Sequence, residues 1–473
     1  MTTLTGSPVT RRGAVTPRPW PIVVTLAVAA ATAALQNTAV LPLLPSLQRT
    51  LHVSIASASW ALTASLLVTG IATPLLGRLG DMYGKRRIIL GVLAVLVAGS
   101  VITALAGSLP VLLVGRVLQG ASGALIPLAI GVARDVLPRE KLGAGIGILS
   151  ATLGIGSGGG VIIAGLAGGD YHTVFWITGG VSLVITIVAA VLVVDHAPPT
   201  PGKPDIAGAA LLVVTLVALL LAITEGRTWP GTVVAALLVV AVAAAIAWVR
   251  VERRTAEPMV DLAMLTHRGT VGATVSGLLL GFSFFMVITA ISSYTQAPIE
   301  TGYGFGATTL RVGMYLLPST VMMLVISLLA GALLARFSAS SLVAAGAATV
   351  AGSGLWLFLS HGHESDIYAA STLLGIGLGV SYAALGTMAV EHVEPSKTAV
   401  ASGVNALVRV LGGSTAGAVI AAILAAHTTG PAGLPTIRGY EWIFGLAAVG
   451  GAAAATFATI FGLVNRVSAQ EGT

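Results

Sequence analysis

The sequence predicts an all-α integral membrane protein: two six-helix bundles plus an inserted helix pair, fourteen transmembrane helices in all. Three observations predict it. Of 473 residues, 56% are hydrophobic and only 9% charged, against about 25% charged in soluble domains, and the mean hydropathy is +0.96. Apolar segments long enough to span a bilayer, roughly 20 residues each, recur along the whole chain. Short stretches in the two halves also echo one another in the same order.

The first apolar segment, near 21-46, is too long for a signal-peptide core and is followed by more spans, which makes it a retained first helix. Segments near 55-78, 88-107, 109-132, 143-166 and 173-194 complete the first bundle, residues 1-198. The Pro-rich linker from Ala197 to Pro204 introduces the inserted pair, near 206-224 and 231-250, within residues 199-255. After the charged stretch from Arg250 to Arg268 come segments near 270-295, 309-334, 340-360, 367-390, 398-426 and 441-464, the second bundle, residues 256-473. An even number of spans puts both termini on one side. Lys85, Arg86, Arg87, Arg134, Arg139, Lys141, Arg253 and Arg254 fall on that side, whereas the opposite loops hold only Arg49, Arg227, Arg311 and Arg438. The excess of loop cations marks the cytoplasmic face, so both termini are expected there, in a plasma-membrane protein.

Internal repetition sets the architecture. Leu153 to Leu166 aligns without gaps to Leu411 to Leu424, the fifth helix of each bundle, and Gly77-Arg-Leu-Gly-Asp81 has a degraded echo in Gly331 to Ala335. Order and orientation are kept, so the repeats are parallel, as in carriers built from two like halves.

Several function classes are disfavoured. The net charge of +7 comes from short basic segments between apolar runs, not from a basic domain, which argues against a nucleic-acid partner. There is no Cys, hence no disulfide framework. Gly154, Gly156 and Gly159 satisfy G-x-G-x-x-G but follow no strand, so the match carries no dinucleotide chemistry, and no phosphate-binding Walker loop points to ATP. No cofactor, catalytic grouping or metal site is expected. His361-Gly-His363-Glu364 reads as a solvated loop, and Met322-Met323 as packing.

Gly77-Arg-Leu-Gly-Asp-Met-Tyr-Gly-Lys-Arg-Arg87 falls at the turn between the second and third helices. Its glycines permit close approach, and Asp81 beside cations can form charge-assisted bonds that hold one conformation shut. A gate of Gly77, Asp81, Gly84, Lys85 and Arg86, with Asp135, is expected; for the three basic residues a purely topological role is the alternative. The full pattern resembles the G-x-L-x-D-x-x-G-[RK]-[RK] signature of the major facilitator superfamily. Arg116-Val-Leu-Gln119-Gly120 resembles the superfamily's R-x-x-Q-G signature. A guanidinium in hydrocarbon costs at least about 2.5 kcal/mol, so Arg116 has either a functional role or a snorkelling one toward the outer face.

Gly156, Gly160 and Gly165 align with the glycine-rich fifth-helix signature of major facilitator antiporters and suit close helix packing. Val161 stands at that signature's proline and Ala164 at the first of its paired glycines, which weakens the antiport implication. Glu225 to Trp229, Pro258-Met-Val-Asp261, and Ala401 to Asn405 with Arg409 and Gly412-Gly413 are similar to the fourteen-helix drug:proton antiporter subfamily. That subfamily's first helix reads L-D-x-T. Here Leu35-Gln36-Asn37-Thr38 places Gln36 where the acid belongs.

Polar side chains inside membrane helices seek a bundle interior or an aqueous cavity. Gln36, Asn37, Thr38, Arg116, Gln119, Asn405 and Arg409 are therefore expected to line a central cavity, the alternative for the triplet being interhelical glue. All seventeen Asp and Glu residues are placed in loops or near helix ends, so no titratable acid meets the fixed cations Arg116 and Arg409. Neutral, zwitterionic or anionic amphiphiles fit such a cavity better than organic cations. The resemblance implies alternating-access efflux of a small amphiphilic drug or antibiotic through the lipid bilayer by a monomer, with protons as candidate co-ions. Uptake or facilitated diffusion is one rival, and a lipid-handling or non-transporting sensor on the same fold is another.

Overall fold

The computed structural model describes residues 19–53, 55–194, 205–226, 229–255, 268–391, 393, 398–429 and 434–471. Hydrocarbon offers no hydrogen bonds, so each spanning backbone must satisfy itself, and helices do this within one segment. The first bundle comprises α1 (Pro19–Leu51), α2 (Ile55–Tyr83), α3 (Lys85–Ala104), α4 (Leu109–Gly120), α5 (Leu125–Val136), α6 (Arg139–Leu166) and α7 (Tyr171–Leu192). A single 3-10 turn, Ala121–Ala124, joins α4 to α5 in one span. The inserted pair is α8 (Ile206–Thr224) and α9 (Gly231–Glu252). The second bundle comprises α10 (Arg268–Gln296), α11 (Thr309–Leu334), α12 (Ala339–Leu359), α13 (Glu364–Glu391), α14 (Thr398–Ala426) and α15 (Ile437–Glu471).

Two features depart from expectation, a short strand pair and the helical course of the Gly77 to Arg87 motif. A two-stranded antiparallel pair, Thr428–Thr429 with Leu434–Pro435, interrupts the all-α pattern at the end of α14. Thirteen segments among the described residues are long and apolar enough to cross a membrane, and the 28-residue α6 runs beside them, packed on α1 and on the second bundle. The Gly77 to Arg87 motif is also no loop. Helix α2 runs through Gly77 and Asp81 to Tyr83, and Gly84 alone, at φ 95°, turns the chain into α3. Helix is maintained there because Gly80 is buried against α5, where a Cβ would lie 2.3 Å from Leu128. The Pro-rich linker and Pro258 to Asp261 lie outside the described residues.

Packing repeats between bundles. In the first, α1 packs on α6, α3 on α7 and α2 on α4; in the second, α10 packs on α14, α12 on α15 and α11 on α13. These are the same pairings by position, first with fifth, third with sixth and second with fourth, as parallel repeats require. Glycines set the closest crossings. A Cβ on Gly156 would lie 2.2 Å from Ala34, and one on Gly160 would lie 2.6 Å from the Leu35 carbonyl, so these two glycines join α6 to α1. Gly165 instead faces Leu310 of the second bundle.

The bundles meet along two seams, α6 with α11 and α2 with α14. On the first, Gly147 approaches Ser327 and Gly331 approaches Ala144. On the second, Gly403 approaches Thr73, and α8 lies across the joint, with Leu220 against Gly70 and Leu212 and Leu216 in one buried cluster with Val400, Val404 and Leu407.

Candidate transport pathway and gate

Successive helix residues are about 100° apart, so three polar side chains in a row cannot share one cavity wall. Gln36, Asn37 and Thr38 accordingly meet different neighbours. Gln36 is 1% exposed. Its Nε2 donates to Ser182 Oγ on α7 (3.2 Å), and its Oε1 accepts from Ser100 Oγ on α3 (3.1 Å). Thr38 donates to the Gly156 carbonyl on α6. Half-buried Asn37 accepts at Oδ1 from Ser65 Oγ on α2 (2.7 Å). The cavity-lining expectation is thus corrected for Gln36, which ties α1 to α3 and α7.

Arg116 is neither snorkelling nor open to a cavity; it is 1% exposed. Its Nε donates to the Ala61 carbonyl on α2 (2.8 Å), Nη1 to Gln119 Oε1 and the Gln36 carbonyl (3.4 Å), and Nη2 to Asn37 Oδ1 (3.1 Å). The Phe175 ring of α7 lies 5.8 Å from the guanidinium carbon. Gln119, also buried, passes its Nε2 protons to Ser100 (3.4 Å) and Thr103 (3.3 Å). Every acceptor named is a neutral oxygen. The charge is spread over α1, α2 and α4, so Arg116 and Gln119 form the polar core of the first bundle.

The second bundle treats its membrane arginine differently. Arg409, about eleven residues or roughly 16 Å beyond the Thr398 start of α14, is half-buried rather than sealed. It donates to Asn405 Oδ1 one turn earlier, and its guanidinium carbon lies 5.0 Å from the Tyr382 ring centroid on α13. Buried Asn405 is anchored separately, donating to the Ala273 carbonyl on α10 (3.0 Å).

Of the expected gate residues, Asp81, Lys85 and Asp135 meet at the end where α2 turns into α3. Asp81 is 4% exposed; Lys85 Nζ lies 3.6 Å from its Oδ1 and 2.9 Å from Asp135 Oδ2. The Val400 amide in the first turn of α14 faces the same Asp81 carboxylate from the other bundle. Arg86 does not join this group. It donates to the Val193 (2.7 Å) and Ala190 (2.8 Å) carbonyls, satisfying the C-terminal end of α7. Arg134, read from sequence as topological only, clasps the second bundle: Nη1 donates to the Val390 carbonyl (3.1 Å) and Thr398 Oγ1 (2.7 Å), and Nη2 to the Val393 carbonyl (2.9 Å). Its partners lie 256 to 264 residues along the chain, beyond the reach of local pattern reading.

At the opposite end, the expected solvated loop diverges. His361 Nδ1 faces the Leu357 carbonyl (2.8 Å), Glu364 pairs with Arg311 (2.5 Å) and His363 lies 3.6 Å from Asp366. The described acids in spanning helices, such as Asp81, Asp135, Glu252 and Asp366, occupy helix ends.

Two bundles of like internal pairing, joined by a charged latch at one end, define a polytopic helical membrane protein of two repeated halves. The chain belongs to the Major Facilitator Superfamily, whose sequence profile matches residues 26–417. It is 30% identical over 419 residues to the tetracenomycin C resistance and export protein of Streptomyces glaucescens, covering 87% of this chain and 77% of that one. It is 29% identical over 460 residues to the puromycin resistance protein pur8 of Streptomyces alboniger, covering 90% and 87%. The probable actinorhodin transporter of Streptomyces coelicolor is 25% identical over 396 residues, covering 80% and 67%. The fold is similar to the crystal structure of the human organic anion transporter MFSD10 (TETRAN), with a TM-score of 0.69 at 14% identity over 93% of this chain and all of that one.

Proposed function

We propose that this chain is a secondary transporter that exports small amphiphilic compounds across the plasma membrane by alternating access between its two bundles. The closed latch carries the reading. Asp81 faces the N-terminal turn of α14, where the helix dipole favours negative charge, and Arg134 bridges the bundles at the same end. Loop cations cluster at that end, which supports reading it as the cytoplasmic end and the protein as closed toward the cell interior. Relatives named for resistance and export support the direction. Half-buried Arg409 in the second bundle, held by buried Asn405, and half-buried Asn37 in the first are the polar groups this reading puts on the cargo path.

A second reading, pH-indifferent exchange of one amphiphile for another, is favoured by one observation: among the described residues the acids of spanning helices stand at helix ends, whereas a proton-coupled carrier ordinarily titrates a membrane acid. Counterflow in liposomes, with and without an imposed pH gradient, tests both. Accumulation driven by the gradient establishes antiport; exchange at equal rate in both conditions establishes facilitation. No movement of any amphiphile across a broad panel defeats transport itself.

A further inference from the structure

The two membrane arginines differ in one respect that decides what each can do. Arg116 spends its donors on carbonyl and amide oxygens from α1, α2 and α4 and is sealed. Arg409 is half-buried and donates, among the described residues, to one acceptor only, Asn405 on its own helix. A guanidinium carries five N–H donors and no acceptor. Most of that capacity is unspent, at a depth where an uncommitted charge is expensive.

A merely structural arginine would tie helices together. Among the described residues Arg409 makes no hydrogen bond to another helix, since its one bond is intrahelical and Asn405 already reaches α10 through its own amide. Its cross-helix contact is with a ring face, Tyr382, which supports the cation without using its hydrogen-bond donors. From that ring an aromatic surface continues: Phe284 of α10 meets Tyr382 edge-on at 6.4 Å, and Phe285 meets Phe284 at 5.0 Å. Phe284 and Phe285 are themselves half-buried. Gly281 lets α10 and α14 cross closely at Arg409, since a Cβ there would lie 2.4 Å from the Arg409 carbonyl.

We propose that Arg409, Tyr382 and Phe284 form a subsite for an anionic oxygen group borne on a planar aromatic ring system, a carboxylate, sulfonate or phenolate. The N–H fork receives the oxygens, buried Tyr382 backs the guanidinium, and half-buried Phe284 receives the ring by edge or offset stacking. This rests on the transport reading for its biological meaning, but not for its geometry. Cargo of this class neutralises the Arg409 cation, whereas an organic cation would meet like charge.

The test uses two dyes on one xanthene skeleton, dianionic fluorescein and cationic rhodamine 6G, with binding read by fluorescence anisotropy on the full chain in detergent. Wild type should bind fluorescein at least about tenfold more tightly than rhodamine 6G. The Arg409→Gln variant should lose at least about tenfold for fluorescein and change less than about twofold for rhodamine 6G, about 1.4 kcal/mol of charge-selective affinity. The wild-type preference is measurable even if that variant folds poorly. Equal fluorescein affinity in wild type and variant, preference for rhodamine 6G, or binding of neither dye overturns the subsite. If detergent binding discriminates as stated but neither dye crosses liposomes, the transport reading fails and the subsite stands. If both dyes cross and the variant leaves fluorescein unchanged, the reverse holds.

Discussion

Replacing Arg116 by Ala should unfold the first bundle rather than merely weaken cargo binding. Its truncation removes a donor from the buried Ala61 carbonyl and from Gln119 Oε1, and one of two donors from Asn37 Oδ1, which keeps Ser65. Hydrogen bonds to charged groups contribute about 1.5–3 kcal/mol in soluble proteins, but interhelical bonds in membranes average about 0.6 kcal/mol because the unfolded reference also finds partners. Three bonds therefore lie between about 2 and 9 kcal/mol, and the membrane value governs the lower half of that range. Adding the void left by a fully buried side chain gives about 3–5 kcal/mol. At roughly 2–4 °C per kcal/mol for a unit of this size, apparent melting should fall by about 10 °C. Heating the detergent-solubilised protein and following its monodisperse fraction by size-exclusion fluorescence measures this. Arg116→Lys should fall nearly as far, because an ammonium cannot serve the fork's spread of acceptors. An Arg116→Ala protein that melts within about 2 °C of wild type yet no longer binds cargo would refute the structural assignment.

The absence of native cysteine makes disulfide locking clean: Ile146→Cys with Gly386→Cys, facing positions where a Cβ on Gly386 would lie 2.9 Å from Ile146, should crosslink and abolish transport reversibly. Full transport by the crosslinked protein would show that the latch end need not open. Gly156→Val should destabilise the first bundle by about 3 kcal/mol, since its side chain would displace Ala34, while Gly91→Ala in the interior of α3, with nothing within 4 Å, should leave melting unchanged or raise it by about 1–4 °C. Asp170 caps α7 by accepting from the His172 and Thr173 amides, so Asp170→Ala should lower stability by about 1 kcal/mol. The Thr173 hydroxyl bond holds its carboxyl below the ordinary carboxylate range, so the contribution is full above about pH 3.9 and fades as pH falls further; melting of wild type and variant at pH 7 and pH 3 should converge at the lower value.

Much of the fold was legible because hydrocarbon imposes a length and a polarity on every span. The segments near 206-224, 309-334 and 398-426 begin and end within a residue or so of α8, α11 and α14. Turns written in polar residues misled where tertiary packing extended a helix, as at Gly77 to Tyr83, where burial against α5 overrode the glycines. The site was less legible for a geometric reason. A polar run on a helix looks like one feature in sequence but points in several directions, so Gln36, Asn37 and Thr38 could not be sorted without knowing which helices surround α1. Arg134 was obscured by its own plausibility, since an arginine at a helix end already has a topological explanation.

A transporter must hold its bundles rigid while letting them rock, and the polar groups divide along that requirement. Inside the first bundle, Gln36, Arg116, Gln119, Ser100 and Ser182 form a network whose bonds all stay within one half, so rocking breaks none of them. Between halves the pattern reverses. The α6 and α11 seam is lined by small residues, Gly147, Ala144 and Gly331, that pack closely, while the directional bonds between halves among the described residues gather at the latch end, through Arg134. A seam of small residues can pivot at little energetic penalty; a cluster of charge-assisted bonds at one end can be made or lost as a unit. Arg409 belongs to neither group, and a side chain that neither stiffens a bundle nor latches two together has its unspent donors left for what passes between them.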